Sequence, residues 1–379
     1  MKKTFVAVAV LGAFAGSAMA ADVTLYGKID AGLNYINTNA AHKADVNKFS
    51  MATGQSAGNR FGLKGTEDLG DGWKVGFILE NGFDADTGAL KTYKKNDGDT
   101  AAGSKLFGRE ASINVSSDFG KLTFGRTGAL SSGLTSTDVM AGFMAFGTGW
   151  SQTSEMGHFG LSDRTRMDNT VTYQTPRFAG VRVSAQYSFN FSDQEYEGNE
   201  RYNKRYAGLG VDYANGPFTA GLVVDTVLNA HGNVADKTYN STTNTEDALG
   251  VTVGAAYDFE VAKVFVMGAY GQNENKMGKL APANTEGVTG YWGQLGVTAP
   301  VAGGKVLATV SYADAEDEVN SNADMKAWGV GLGYQYNLSK RTYLYTFAGY
   351  NEWKLLNATT GNKDKTKETE FGFGLCHSF

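Results

Sequence analysis

Cysteine, proline and long apolar runs are the scarce features of this 379-residue chain. The single cysteine, Cys376, excludes an internal disulfide and a cysteine-rich metal site. Only four prolines occur, which suits long strands packed side by side, because proline removes a donor from the strand ladder. Beyond residue 20 no stretch approaches 18 consecutive apolar residues, so a bundle of membrane-spanning helices is excluded.

Positive charge is also in short supply. The chain has 34 Lys and Arg against 39 Asp and Glu, a net charge of −5, which argues against nucleic acid as a partner. The four histidines accompany neither a nucleophile motif nor a phosphate-binding loop. The sequence therefore predicts no enzyme, no metal site and no cofactor.

The N-terminus has the pattern of a secretory signal peptide. Lys2 and Lys3 precede an apolar run over residues 5–15, and Ala18-Met-Ala20 has the form of a cleavage site. We therefore predict a signal peptide over residues 1–20, export across the inner membrane, and a mature domain over residues 21–379.

The C-terminus alternates with the period of a β-strand. Phe371, Phe373, Leu375 and Phe379 share one face, and Gly372, Gly374, Cys376 and Ser378 share the other. This segment alone fits either the closing strand of a membrane barrel or the edge strand of a soluble sandwich.

The same alternation recurs along the chain and favours the barrel. We predict sixteen strands at residues 23–35, 59–69, 73–81, 105–116, 121–126, 168–175, 181–190, 204–213, 217–227, 248–258, 263–273, 289–298, 305–314, 326–336, 341–353 and 370–379. Tight turns such as Asn215-Gly216 alternate with long polar connections. The pattern predicts an all-β, sixteen-stranded antiparallel transmembrane β-barrel with short periplasmic turns and long extracellular loops.

The barrel interior is predicted to be polar and filled with water. The faces opposite the apolar ones carry Thr, Ser, Asn, Gln and charges, and sixteen strands enclose a lumen that side chains cannot fill. The third loop, at about residues 129–167, is the longest connection. Its apolar side chains predict either an inward fold onto the barrel wall, which would narrow the pore, or an apolar tip that contacts a partner subunit. They are Val139, Met140, Phe143, Met144, Phe146 and Trp150.

Several motifs resemble those of a known family. They are Asp22-Val-Thr-Leu-Tyr-Gly-Lys-Ile-Asp-Ala-Gly32, Arg60-Phe-Gly-Leu-Lys-Gly-Thr-Glu-Asp-Leu-Gly70, Leu106-Phe-Gly-Arg-Glu-Ala111, Phe119-Gly-Lys-Leu-Thr-Phe-Gly-Arg126 and the terminal Phe379. Together they resemble the trimeric general diffusion porins of Gram-negative bacteria, most closely the betaproteobacterial, neisserial type. The resemblance implies a homotrimer in the outer membrane, an inward-folded third loop, and passive diffusion of ions and small hydrophilic solutes.

The resemblance also implies a pore constriction in which wall bases face acids on the third loop. The matching bases are Lys28, Arg60, Arg126 and Arg166, with Lys64 one step along the same face as Arg60, and the matching loop acid is Asp138. The chain departs from enterobacterial members at Ala141-Gly142-Phe143, where a carboxylate is missing, and at Gln174, where some members carry arginine.

Bases outnumber loop acids in this set, so we predict a mild anion preference. Glu80 and Glu110 also face the lumen by parity and would oppose it. A substrate-specific channel for a sugar or an anion is the alternative function. The expected partners are two further copies of the chain, outer-membrane lipid and lipopolysaccharide, the permeating solutes, and the outer-membrane assembly machinery, which would read the last strand through Phe379. Cys376 is expected to line the lumen.

Overall fold

The structure is a computed structural model that describes residues 21–91, 105–150, 160–161, 164–191, 203–228, 246–275, 277–278, 280, 287–317, 325–356 and 363–379. Strands, turns and loops account for these ranges, and no helix in them is long and apolar enough to cross a membrane. The predicted signal peptide, residues 1–20, lies outside the described residues and stays a prediction.

Seventeen strand segments pair in antiparallel fashion into one closed sheet. They are β1 Ala21–Ala40, β2 Val46–Thr53, β3 Arg60–Gly70, β4 Trp73–Gly82, β5 Glu110–Ser117, β6 Gly120–Gly128, β7 Arg166–Gln174, β8 Val181–Ser188, β9 Arg205–Asn215, β10 Phe218–Leu228, β11 Ala248–Asp258, β12 Lys263–Glu274, β13 Val288–Val301, β14 Gly304–Asp317, β15 Met325–Asn337, β16 Thr342–Leu356 and β17 Lys363–Ser378. The first and last strands pair from Lys28↔Ser378 to Ala40↔Thr366, which closes the barrel.

The barrel has sixteen strand positions because β2 and β3 share one of them. β2 pairs with the upper half of β1, from Ala31 to Thr38, and β3 pairs with the lower half, from Ala21 to Lys28. The predicted sixteen-stranded barrel is therefore confirmed, although β2 falls within a segment that the sequence analysis assigned to the first loop.

The break between β2 and β3 has a clear cause in the buried carboxylate of Asp30. Its Oδ2 accepts hydrogen bonds from the Ser56 and Ala57 amides, both at 2.8 Å, and its Oδ1 accepts one from the Tyr345 hydroxyl at 2.5 Å. The segment between the two strands is thus drawn toward the lumen instead of continuing the ladder. Hydrogen bonds to a buried carboxylate are strong enough to compensate for the lost ladder bonds.

Tight turns connect the strands at one end of the barrel. In the β3–β4 turn Gly70, Asp71 and Gly72 all have positive φ, at 87°, 50° and 80°, and a left-handed backbone favours glycine. Gly216 ends the β9–β10 turn with a φ of 57°. The strand ends that lead into the long connections lie at the opposite end, as the alternation of loop lengths predicts.

Side chains on the last strand confirm its predicted faces. Phe371 and Phe373 are 53% and 54% exposed on the outside, whereas Glu370 and Cys376 on the inward parity are buried. The carboxyl-terminal residue is locked to the first strand, because Phe379 and Gly27 exchange two backbone hydrogen bonds at 3.0 and 3.1 Å. Cys376 faces inward as expected, but other side chains cover it completely, so the thiol does not line open water.

The inner wall differs between the two halves of the barrel. Its buried positions on β1–β8 are polar apart from Met167 on β7, and they include Asp30, Asn34, Glu80, Glu110, Ser112, Thr123, Thr170, Thr172, Ser184 and Gln186. From β11 to β16 they are mostly apolar, and they include Ala256, Phe265, Met267, Ala269, Trp292, Leu307, Ala313, Met325, Ala327 and Phe347. The predicted polar interior is therefore wrong for about half of the wall, because the third loop covers these side chains.

Candidate functional site

The described part of the third loop between β6 and β7, residues 129–150, 160–161 and 164–165, lies inside the barrel. All six apolar side chains singled out in the sequence are no more than 6% exposed, and they share one cluster with the apolar wall. The inward fold is thereby confirmed. Burial of apolar surface holds the loop there, since each such side chain contributes about 1.5–3 kcal/mol when removed from water.

Glycines on the inner wall make room for the loop. A β-carbon at Gly221 on β10 or at Gly254 on β11 would lie 2.7 Å from the ring of Phe143. At Gly333 on β15 it would lie 2.8 Å from the ring of Phe146. The loop rings therefore occupy space that any larger wall residue would fill, which fixes how deeply the loop sits.

Polar contacts hold the two ends of the loop. Near its start, the Glu110 carboxylate on β5 accepts a hydrogen bond from the Ser136 amide at 3.1 Å. Near its end, the buried Arg164 donates to Asp225 on β10 at 2.8 Å and to Glu274 on β12 at 2.6 Å. Burial alone would lower the pKa of the Arg164 guanidinium, but the two carboxylates outweigh it and the net pKa is raised.

The far tip of the described loop reaches across to the break between β2 and β3. The Trp150 amide donates to the Gln55 carbonyl, and the indole packs edge-on against the ring of Tyr345 with centroids 5.4 Å apart. The loop therefore runs from the β6 wall to the β16 wall, and the remaining lumen lies beside the polar strands β1–β8.

The Asp138 carboxylate forms hydrogen bonds within the third loop itself. It accepts hydrogen bonds from the Gly133 amide, from the Ala141 amide at 2.6 Å and from the Ser132 hydroxyl at 3.3 Å. Burial of the carboxyl raises the pKa of Asp138 to about 7, and the amides of Gly133 and Ala141 oppose that rise. A buried loop acid with this pKa carries only part of a negative charge at neutral pH.

On the opposite wall, bases surround Glu80. Its carboxylate accepts hydrogen bonds from Arg109 at 2.5 Å and from the Tyr26 hydroxyl at 3.0 Å, and Arg60 lies 3.9 Å away. A cavity of about 240 Å³ opens beside this cluster. It is lined by Thr53, Gly54, Gly58, Asn59, Phe83, Lys91, Arg109 and Arg166.

The remaining predicted residues lie at separate places. Lys28 on β1 is the register partner of Arg60, and Lys64 lies over the ring of Tyr26 at 5.4 Å. Arg166 donates to the Leu134 carbonyl of the third loop at 3.4 Å. Arg60, Lys28 and Arg166 are therefore brought to the polar side of the lumen, where their effect on permeation stays a prediction.

Arg126 lies at an irregularity of β6. It pairs in register with Ala111, and Phe124 on its own parity faces outward. Its guanidinium donates to Asp168 at 2.7 Å and to the Gly108 carbonyl at 2.8 Å. This placement gives no support to a lumen role for Arg126.

Comparison with known proteins identifies the chain. The sequence model of the family described as Gram-negative porin matches residues 7–354. The chain belongs to this family.

Two curated porins and a solved structure show how far the likeness extends. An outer membrane porin protein of Bordetella pertussis is 32% identical over the full length of both chains. Outer membrane porin protein 32 of Delftia acidovorans is 33% identical, covering 91% of this chain and 88% of its own. The anion-selective porin from Comamonas acidovorans superposes with a TM-score of 0.65 at 26% identity, covering 95% of this chain and 100% of that one.

The porin is thus a channel of the outer membrane, and its homologues are channels rather than enzymes. Sequence reasoning missed three groups in its lumen: Arg109 on Glu80, Asp30 beneath the strand break, and Arg164 between two buried acids. Arg109 stands within the Leu106–Ala111 motif, but strand alternation would place it on the face opposite to the inward Glu110, so periodicity gave no signal for it. The side-chain partners of Asp30 and Arg164 are 26 to 315 residues away, so no local pattern indicates them.

Phe143→Ala should loosen the third loop, because it empties the space over Gly221 and Gly254. We expect a loss of about 3–5 kcal/mol in unfolding free energy and a larger, noisier single-channel conductance in planar bilayers. Phe178→Ala is the matched control, since Phe178 is 84% exposed in a turn. An unchanged conductance with unchanged stability would show that Phe143 does not hold the loop.

Asp138→Asn should reduce the pH dependence of ion selectivity. The folded pKa of about 7 exceeds the ordinary value of 3.8, so the loop binds this proton more tightly than the unfolded chain does. The resulting stabilisation is full below about pH 4 and is lost as the pH rises through about 7.

In the wild-type porin the loop gains negative charge between pH 5 and 8, so anion preference should decline over that range. Reversal potentials in a salt gradient at the two pH values measure this decline. Every other ionisable group is common to both proteins, so the comparison isolates Asp138. Identical pH slopes in both proteins would contradict the assignment.

Proposed function

We propose that this porin lets small hydrophilic solutes and ions diffuse passively across the outer membrane and passes anions in preference to cations. The observation that carries the proposal is that the acids near the open lumen already accept hydrogen bonds from neighbouring protein groups. The Glu80 carboxylate accepts hydrogen bonds from Arg109 and Tyr26, and the Glu110 carboxylate accepts them from Ser112 and Ser136. The Asp138 carboxylate accepts one from the Ala141 amide of its own loop.

Among the described residues, the side chains that line the cavity include three bases, Lys91, Arg109 and Arg166, and no carboxylate. Arg60 and Lys28 lie on adjoining strands. Fixed charges beside a permeating ion raise the local concentration of counter-ions, and the effect is strongest where the walls have a low dielectric constant. An excess of positive charge at this narrowing therefore favours anions. The similarity to the anion-selective porin from Comamonas acidovorans supports the same reading.

The selectivity proposal predicts that Arg109→Gln combined with Arg166→Gln shifts the reversal potential toward the equilibrium potential of potassium. The exposed pair Lys354→Gln and Lys367→Gln removes the same charge from the outer end of the barrel and serves as control. Planar-bilayer recording with a tenfold KCl gradient is the measurement.

A cation preference in the wild-type porin would refute the proposal. A conductance that saturates with one sugar or one anion would favour the alternative, a substrate-specific channel. Unselective diffusion of several unrelated solutes in liposome swelling would favour the general channel.

We propose further that the porin is a homotrimer, as its family resemblance implies. β2 pairs only with β1 in the described part of the chain, and its outward residues Phe49 and Met51 are 69% and 54% exposed. Exposed apolar side chains at a strand edge favour contact with another chain. The outward apolar band would contact lipid and lipopolysaccharide, and the last strand with Phe379 would contact the assembly machinery.

The trimer proposal predicts that Phe49→Glu with Met51→Glu weakens subunit association, because burying a carboxylate without a partner is unfavourable. Phe178→Glu adds charge at an exposed turn and should leave association intact. Native electrophoresis and chemical cross-linking of detergent-purified protein measure the subunit number. A wild-type protein that migrates and cross-links as a monomer would overturn the proposal.

A further inference from the structure

Basic side chains recur at one level of the barrel, just after the tight turns. The second residue of β4, β6, β8 and β14 and the first residue of β12 are all Lys or Arg. We call Lys74, Lys121, Arg182, Lys263 and Lys305 the turn-side ring. This regularity lies at the end of the barrel away from the long loops.

The parity of each strand directs the ring inward. Lys121 precedes Thr123, Lys263 precedes Phe265 and Lys305 precedes Leu307 by two residues, and all three of these successors are buried on the inner wall. Side chains two apart on a strand share a face. The ring therefore projects into the turn-side mouth of the lumen and not toward lipid.

Register aligns part of the ring at one height. Lys74 pairs across to Ser116 on β5, Ser116 pairs with Lys121 on β6, and Lys121 pairs with Gln174 on β7. Since neighbouring strands lie about 4.8 Å apart, Lys74 and Lys121 stand about 10 Å apart with a neutral serine between them. Such a spacing lets one small multivalent anion interact with two bases at once.

Acidic side chains near the ring neutralise only part of its positive charge. Asp68 lies 3.9 Å from Lys74, Asp212 accepts a hydrogen bond from Arg182 at 2.8 Å, and Asp258 is the register partner of Lys263. Asp212 also accepts from Arg177, which adds a further base to that group.

Two members of the ring have neutral register partners, although the Glu110 carboxylate attracts Lys121 from farther along the wall. Lys121 lies between Ser116 and Gln174, and Lys305 lies between Pro300 and Gln335. Both are half-buried.

We propose that the turn-side ring is a binding site for small multivalent anions, such as phosphate esters or polycarboxylates, which enter from the periplasmic side. The site is separate from the cluster around Glu80, so it acts on a permeating anion before or after the constriction. Its charge makes the channel asymmetric, because the same anion meets the ring first from one side and last from the other.

The test is current block by inorganic pyrophosphate added to one side of a planar bilayer at low salt. Channel orientation is set by Lys43→Cys in the first long loop, labelled with biotin and challenged with streptavidin from either side. Addition on the turn side should block at a concentration lower than addition on the loop side by on the order of tenfold. The difference should shrink as salt is raised, because screening shortens the reach of the ring.

Lys121→Gln with Lys305→Gln should abolish most of the side difference, while Lys354→Gln with Lys367→Gln should retain it. Equal block from both sides in the wild-type porin, or an unchanged difference in the Lys121→Gln and Lys305→Gln protein, would overturn the ring proposal. Reversal potentials in KCl of the same channels report the constriction separately. A preserved anion preference with no side-dependent block would thus refute the ring alone.

Discussion

The closed ladder of backbone hydrogen bonds is the constraint on which the rest of this porin depends. A strand edge left open in hydrocarbon has no water to satisfy it, so the chain must return to its first strand. Pairing of β1 with β17 achieves this over thirteen register partners, from Lys28 to Ala40. Closure fixes which side chains face inward, and every functional feature of the lumen follows from that assignment.

The interior that closure creates is divided in two. The apolar half of the wall holds the third loop, and glycines such as Gly221, Gly254 and Gly333 set its depth. The polar half keeps the water and the charges. A barrel of this size would otherwise be an open tube, so hydrophobic packing inside a membrane protein determines the dimensions of its aqueous path. The loop is held by burial along its length and by ion pairs and hydrogen bonds at its ends.

Charge in the lumen is arranged by depth as well as by side. Acids near the third loop accept hydrogen bonds from Arg109, Tyr26 and Ser136, whereas the register partners of Lys121 and Lys305 at the turn end are neutral. A net charge of −5 for the whole chain therefore says little about the field that a permeating ion meets. The local pattern of matched and unmatched groups decides that field.

Sequence patterns alone were enough to predict the barrel, its strand number and the alternation of turns and loops, and they left an inward third loop as one of two alternatives. These depend on a period of two and on loop length, which are local properties of the chain. The folded barrel was needed to show that half of the inner wall is apolar, that β2 is a separate strand, that Asp138 accepts hydrogen bonds within its own loop, and that Cys376 is covered. Each of these depends on partners far apart in sequence, such as Asp30 with Tyr345 and Arg164 with Glu274. Strand periodicity tells which way a side chain points, but what it meets there is set by the closed barrel.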